Sequence, residues 1–381
     1  MVKRTRAQAL EAALFLGAVD GWATRRPGAE FWDRNLGILR EPQQIPVNPE
    51  HPTTPPWAYR AICKEPDFKQ DGSVTMTELK KLRADKQTPV ACELSAVPRM
   101  RYWKSAPALA RLVSGYHFYA VQVPPGKPHL DVFQPAWANL RIVLTADTEW
   151  SVRVGKAEWQ RVENCALFGP SSHVTWSQSG SGIVIGAGLT PLGWARLSEA
   201  NAAHWANRVG NCEEVFEGSV KALRPLLCAA PGDDSLPLLL DAFLIGAMAR
   251  PTRLDPAITR LDAALLHTAS VTVGALADQV GMTVRSLERL AARAFGFPPG
   301  LLLRRVRFLR SLHAIRRAAP HDRTAALDLG YTDYSHFVRD SHEFLGMAPG
   351  AFLKLDMPLF KQSALLRDKV LGAPAQALGT G

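Results

Sequence analysis

Clustered metal ligands are missing from this chain. Its five cysteines, Cys63, Cys92, Cys165, Cys212 and Cys228, are scattered, with no Cys-x-x-Cys pair. A zinc site or a disulfide framework needs ligands at fixed spacing, so neither organises the fold, and the thiols read as reduced and cytoplasmic. Histidine is dispersed too: His117, His129 and His173 stand apart and no His-x-His occurs. The sequence therefore offers no metal-dependent catalytic cluster; no catalytic residue, metal or cofactor is assigned, and an enzyme is not expected. Long apolar runs are also absent. Leu236–Met248 falls short of the roughly 18–20 residues of a membrane span and contains Asp241, so it reads as a buried helix. At the N-terminus Lys3, Arg4 and Arg6 precede Ala12–Val19, but Glu11 interrupts the run and no small-x-small cleavage site follows, so no secretion signal is expected.

What remains is ordinary globular material with a basic bias. At 381 residues the chain has room for two domains, and 47% hydrophobic with 21% charged residues is far from a disordered composition. A formal charge of +10 favours polyanionic partners such as nucleic acid. One stretch imitates a calcium loop, with Asp67, Asp71, Gly72, Val74 and Glu78 at positions 1, 5, 6, 8 and 12. Position 3 is Lys69, whose ammonium opposes a dication, so no calcium is expected there.

Texture divides the chain. Residues 1–75 crowd Pro42, Pro46, Pro49, Pro52, Pro55 and Pro56 into one stretch and read as an irregular extension outside a folded core; Met76 opens the more regular Thr77–Lys86. From about Pro107, short β-branched and aromatic runs follow one another: Leu140–Leu144, Trp150–Val154, Ala166–Phe168, Val174–Trp176 and Ile183–Ile185. Spaced by Gly, Pro, Asp or Ser, they suggest a small barrel or sandwich. Helices are expected over Pro191–Ala206 and Phe216–Leu227, and Pro231, Gly232, Asp233 and Asp234 then break the chain. Beyond the break short helices run to Phe352, followed from about Pro358 by a tail that reads as loosely ordered.

The C-terminal part holds an internal repeat. Ala277, Gly281, Leu287, Arg289, Gly296 and Pro299 recur as Ala326, Gly330, Phe337, Arg339, Gly346 and Pro349, with the last four offsets identical. A small residue followed by Gly suits two helices meeting at a sharp turn, because Gly tolerates positive φ at a helix C-cap. Thr283 is placed to cap the helix after the first turn, and Thr332 or Asp333 the helix after the second. Leu287, Leu290, Ala291 and Ala294 share one face of the first helix, with Arg285 and Arg289 together on another. In the second, Phe337 and Phe344 mark the buried face and leave Ser335, Arg339 and His342 on an exposed stripe. Between the units, Leu301–Ala318 is rich in Arg, and about 18 helical residues would span about 27 Å. Two reading heads so spaced fit major-groove segments roughly 34 Å apart.

At these residues the chain resembles the AraC/XylS family of bacterial transcriptional regulators, over about residues 255–354. The match is most specific in Ala326–Tyr331 and in Gly330, Tyr331, Asp333, Ser335, His336, Phe337, Arg339, Gly346, Pro349 and Phe352. The resemblance implies a seven-helix fold, two recognition helices in successive major grooves of promoter DNA, action through RNA polymerase, and activation or repression in the cytoplasm. Its DNA-contacting positions fall on Arg285, Glu288 and Arg289 in the first unit, and on Tyr334, Ser335, His336, Val338 and Arg339 in the second. The chain departs from the family at Ala291 and Ser341, where a bulky apolar residue is usual, so Phe295, Phe344 or Leu345 must compensate.

The expected fold class is α+β: a β-rich, cupin-like sensor domain followed by an all-α DNA-binding domain with two helix-turn-helix units. The expected parts are an extension over 1–75, a sensor or dimerisation domain over 76–230, a DNA-binding domain over 236–355 that folds by itself, and a tail over 356–381. A small-molecule effector and a homodimer are expected partners, with no membrane. Trp137, Trp150, Trp159, Trp176, Trp194 and Trp205 read either as core or as the wall of an effector pocket.

Overall fold

The computed structural model describes residues 99–373 except 146–147, 217–218, 268–271, 319–326 and 329. The Pro-rich segment, the calcium-like loop, Cys63, Cys92, Thr77–Lys86 and Ala326 lie outside the described residues.

Ten strands build the first part: β1 (Arg99–Trp103), β2 (Val113–Val121), β3 (His129–Phe133), β4 (Asn139–Val143), β5 (Trp150–Val154), β6 (Gln160–Arg161), β7 (Cys165–Phe168), β8 (Thr175–Ser179), β9 (Gly182–Leu189) and β10 (Val209–Asn211). They form a six-stranded sheet in the order β1-β2-β9-β4-β7-β10 and a four-stranded sheet β3-β8-β5-β6. The pairings are antiparallel. Trp150, Val152, Ala166, Phe168 and Val209 form one apolar cluster, and Met100, Tyr119 and Val121 pack with Leu359 in another. The expected strands are all present within a few residues. β1, β2, β3, β6 and β10 fall outside the expected runs; β2, Val-Ser-Gly-Tyr-His-Phe-Tyr-Ala-Val, is buried along nearly its whole length and so lacks an alternating pattern.

Twelve helices accompany the strands among the described residues: α1 (Pro191–Leu197), α2 (Ala202–Trp205), α3 (Glu213–Phe216), α4 (Ser219–Cys228), α5 (Leu236–Ala247), α6 (Asp255–His267), α7 (Val273–Val280), α8 (Val284–Leu290), α9 (Pro299–Arg317), α10 (Tyr334–Leu345), α11 (Pro349–Lys354) and α12 (Pro358–Leu371). The single helix expected over Pro191–Ala206 is two. Ser198 turns extended and bonds Ala200 N, and Asn201 caps α2 through Ala203 N, so short polar side chains capture the backbone and interrupt the helix. The stretch from Pro358, expected to be loosely ordered, is a 14-residue helix with Leu359, Phe360, Ala364 and Leu371 buried. Its order comes from packing: α12 lies against β1 and β3.

Compact packing divides the described residues into Phe216–Gly246 and, separately, 99–215 with 247–373. Within the smaller unit, Phe216 and Phe243 are in ring contact, and the apolar α5 is buried as its sequence predicts. Within the larger unit the strands and the later helices interlock. Arg305 of α9 is fully buried, donates to the Ser171 carbonyl at 2.8 Å and lies 3.7 Å from the Trp137 ring centre. Phe295 meets the same Trp137 edge-on. Arg196 of α1 pairs with Asp255 of α6 at 2.7 Å.

Candidate nucleic-acid interface

The two halves of the repeat are built by the same local rules. Thr283 begins α8 by accepting the Ser286 N–H at 3.2 Å, and Asp333 begins α10 by accepting that of His336 at 2.7 Å. The hydrogen bond from His336, with the Arg339 charge adding to it, holds the Asp333 carboxyl below its ordinary range. The preceding turn in the first unit is closed by Gly281 at φ 68°. After α8 the chain runs through one wider turn, Ala291–Phe295, and stops at Gly296 with φ 84°; α10 stops at Gly346 with φ 75°. Pro299 and Pro349 then occupy the first turns of α9 and α11. The equal Gly-to-Pro spacing is thus a left-handed stop followed by a preorganised start, used twice.

Packing fixes which faces are free. Leu287 and Phe337 are both 0% exposed and anchor their helices. Phe337 and Phe344 meet Phe308 of α9 at 5.4 and 5.1 Å between ring centres. Small residues at the departures from the family are accommodated: Ala291 is buried beside fully buried Phe295, and Ser341 turns its hydroxyl to the Met347 carbonyl at 2.7 Å. On the opposite faces, Arg285, Glu288 and Arg289 of α8 are exposed, as are Tyr334, Ser335 and Arg339 of α10, with His336 and Val338 half-buried.

Arginine is divided between two tasks. In α9, Arg304 bonds Asp340 at 2.6 Å and Glu343 at 2.7 Å, Arg307 donates to the Gly330 carbonyl at 3.1 Å, and Arg310 donates to the Leu266 carbonyl. Arg317 pairs with Asp368. These cations hold helices together. By contrast, among the described residues Arg285, Arg289 and Arg339 form no ion pair or side-chain hydrogen bond.

Asp340 is the fastening that sequence reading missed. Nearly fully buried, it accepts from Arg304 and from the Tyr331 hydroxyl at 2.8 Å, with Arg307 3.7 Å away. Burial, then the Asp340 charge, push the Tyr331 phenol well above its ordinary range, so it stays a donor. An acid on the buried face of an otherwise amphipathic helix was the available signal. The strand part also touches α10: Val174 N–H donates to the Phe344 carbonyl at 2.7 Å, and the His173 ring meets the Glu343 carbonyl at 2.9 Å.

Residues 276–355 match a family described as a helix-turn-helix domain. The C-terminal part of this chain is an AraC-type helix-turn-helix domain. No curated protein matches the sequence. Among solved structures, ToxT from Vibrio cholerae strain SCE256 with a bound unsaturated fatty acid is similar at 10% identity, over 68% of this chain and 96% of that one, with a TM-score of 0.36. The AraC-like transcriptional activator CuxR is similar at 11% identity, over 56% of this chain and 80% of that one, with a TM-score of 0.26. The AraC-type domain takes in most of α7 and runs to the end of α11, so α12 lies beyond it. No helix among the described residues is long and apolar enough to cross a membrane.

Proposed function

We propose that this chain is a cytoplasmic, sequence-specific transcriptional regulator, not an enzyme, that places α8 and α10 in successive major grooves of a promoter. The β-rich part receives a small-molecule effector and supports a homodimer, and RNA polymerase is the partner at the promoter. The observation that carries the reading is the division among arginines. Those of the connecting helix are consumed in internal contacts, while Arg285, Arg289 and Arg339 stand exposed beside the buried anchors of the two recognition helices.

Each side chain has a role suited to its chemistry. Arg289 and Arg339 can each bond guanine O6 and N7 in bidentate fashion, Glu288 can accept from cytosine N4, and Val338 can meet a thymine methyl. Ser335 and His336 at the start of α10 donate to base edges or phosphate, Arg285 to phosphate, and Tyr334 contributes its hydroxyl and ring. Sequencing the fragments that the purified protein retains from a genomic DNA pool tests the reading. A shared motif with two half-sites about one helical turn apart is expected, and retention without sequence preference would refute it.

A further inference from the structure

Arg141 stands in the middle of β4, in the run Asn139-Leu140-Arg141-Ile142-Val143, and is 6% exposed. Its guanidinium lies 4.4 Å from the Phe133 ring centre and 4.3 Å from that of Phe168. Aromatic faces suit the flat of the cation, but its N–H groups point outward in the plane, and Nε and Nη1 are buried without an acceptor. A second arginine approaches from α12. Arg367 is 7% exposed and spends Nη1 on the Ala373 carbonyl. Burial depresses the pKa of both guanidiniums, and that of His117 is pushed down by burial, then by Arg141 and by Arg367.

These groups surround a cavity of about 80 Å³ lined by Tyr102, His117, Tyr119, Arg141, Ser363 and Arg367, with no Asp or Glu in its wall. His117 Nε2 and Gln134 Oε1 are likewise buried without partners. Asp131, whose charge acts on Tyr119, is taken up by the N–H groups of Leu359 and Phe360. Two buried cations face one void, and among the described residues no carboxylate lines it. Leaving them so is costly, whereas an apolar residue in β4 would simply fill the space.

The roof of the cavity is α12. Its Ser363 Oγ is 2.8 Å from the Tyr102 hydroxyl, and its last residue, Leu371, rests directly on Gly115. The backbone at Gly115 has φ +127°, which side chains rarely adopt, so glycine is required there; a Cβ would also displace the Leu371 methyls, 2.5 Å away.

We propose that this cavity binds a short-chain monocarboxylate, its oxygens held by Arg141 and Arg367 and its tail against Phe133 and Tyr119, with α12 as the lid that closes over it. A planar carboxylate matches the guanidinium fork, and a volume of about 80 Å³, about half that of a cavity of roughly 150 Å³ that takes up benzene, favours a short tail. The effect of this ligand on DNA binding rests on the regulatory reading above; the binding site itself does not.

Thermal unfolding and calorimetric titration of the full chain with sodium butyrate test the assignment, with butyramide as the neutral isostere and sodium chloride and sodium sulfate as ionic controls. Butyrate is expected to bind saturably and raise Tm by about 3 °C or more, and the three controls are not. Arg141→Met is expected to raise Tm without ligand, because it removes an uncompensated buried charge, and to abolish the butyrate response. Arg367→Gln is expected to weaken butyrate binding at least tenfold. An absent butyrate response, an equal response to butyramide or sulfate, or an Arg141→Met protein that is less stable or still responds would overturn the proposal. Operator binding, measured in parallel, separates the two readings: its absence defeats the regulatory function and leaves the butyrate result standing.

Discussion

The Asp131 carboxylate accepts the backbone N–H of Leu359 at 2.8 Å and that of Phe360 at 3.1 Å, so a residue of β3 caps a helix 228 positions later. Met357, at the local cap position of α12, offers no side-chain hydrogen bond, and Pro358 follows it. The cap of α12 is therefore tertiary. Asp131→Ala is expected to cost about 2 kcal/mol, since it removes the side-chain acceptor of the buried Leu359, Phe360 and Val132 N–H groups. Urea unfolding gives the loss, and limited proteolysis should cut faster between α11 and α12. Unchanged protection of that segment would show that packing alone seats the helix.

Reading of bases by the recognition helices is tested most directly at Arg289 and Arg339. Replacing either by Ala is expected to weaken specific binding by about 1–3 kcal/mol, roughly 5- to 150-fold, and to relax preference at one base position per half-site. Titration against the selected operator and its single-base variants measures both effects. Full-strength binding by both variants would reject the assignment.

Salt dependence follows from the charge of the helical part. Residues 251–354 hold 14 Lys and Arg against 9 Asp and Glu, an excess of five positive charges. Affinity for duplex DNA is expected to fall with salt at a log-log slope of about −0.9 per phosphate contacted, and Arg285→Ala should reduce that slope by about one unit. A slope near zero would contradict a phosphate-tracking surface.

Asp340 should matter to stability before it matters to recognition. Asp340→Ala leaves Arg304, Arg307 and the Tyr331 hydroxyl without their shared acceptor and is expected to cost about 3 kcal/mol. The preferred operator sequence should be unchanged in whatever fraction remains folded. A changed preference at full stability would instead place Asp340 at the DNA.

His313 predicts an acid-sensitive fold. Burial, followed by the charges of Arg316, Arg317 and Arg367, lowers its pKa to about 3. An unfolded histidine takes up its proton near 6.5, so between these values the unfolded chain binds the proton that the folded chain refuses. Stability is then present above pH 6.5 and is lost as pH falls. By pH 5 the loss from this group is about 2 kcal/mol. Denaturant titrations of wild type and His313→Leu at pH 7 and pH 5 should differ by that amount in their pH dependence; parallel curves would show a protonated or solvated ring.

The repeat was legible in the sequence because its signals are local. Gly281, Gly296 and Gly346 stop helices through their own φ, Thr283 and Asp333 start them through hydrogen bonds three residues away, and Leu287 and Phe337 declare the buried face by periodicity. Exposure of Arg289 and Arg339 followed from the same period, and half the strands from their β-branched and aromatic runs. The remainder depended on partners distant in sequence. Arg305 looked like one more cation in a basic helix, yet it lies against Trp137 and Ser171, more than 130 residues earlier. Arg141 stands in an otherwise apolar strand, and only the approach of Arg367 gives it a neighbour and a cavity. The segment after Pro358 has no cap of its own and only an irregular apolar pattern, so nothing local demanded a helix. Asp131 and the β1–β3 surface made it one, because a buried carboxylate and buried apolar area stabilise what short-range propensity leaves marginal.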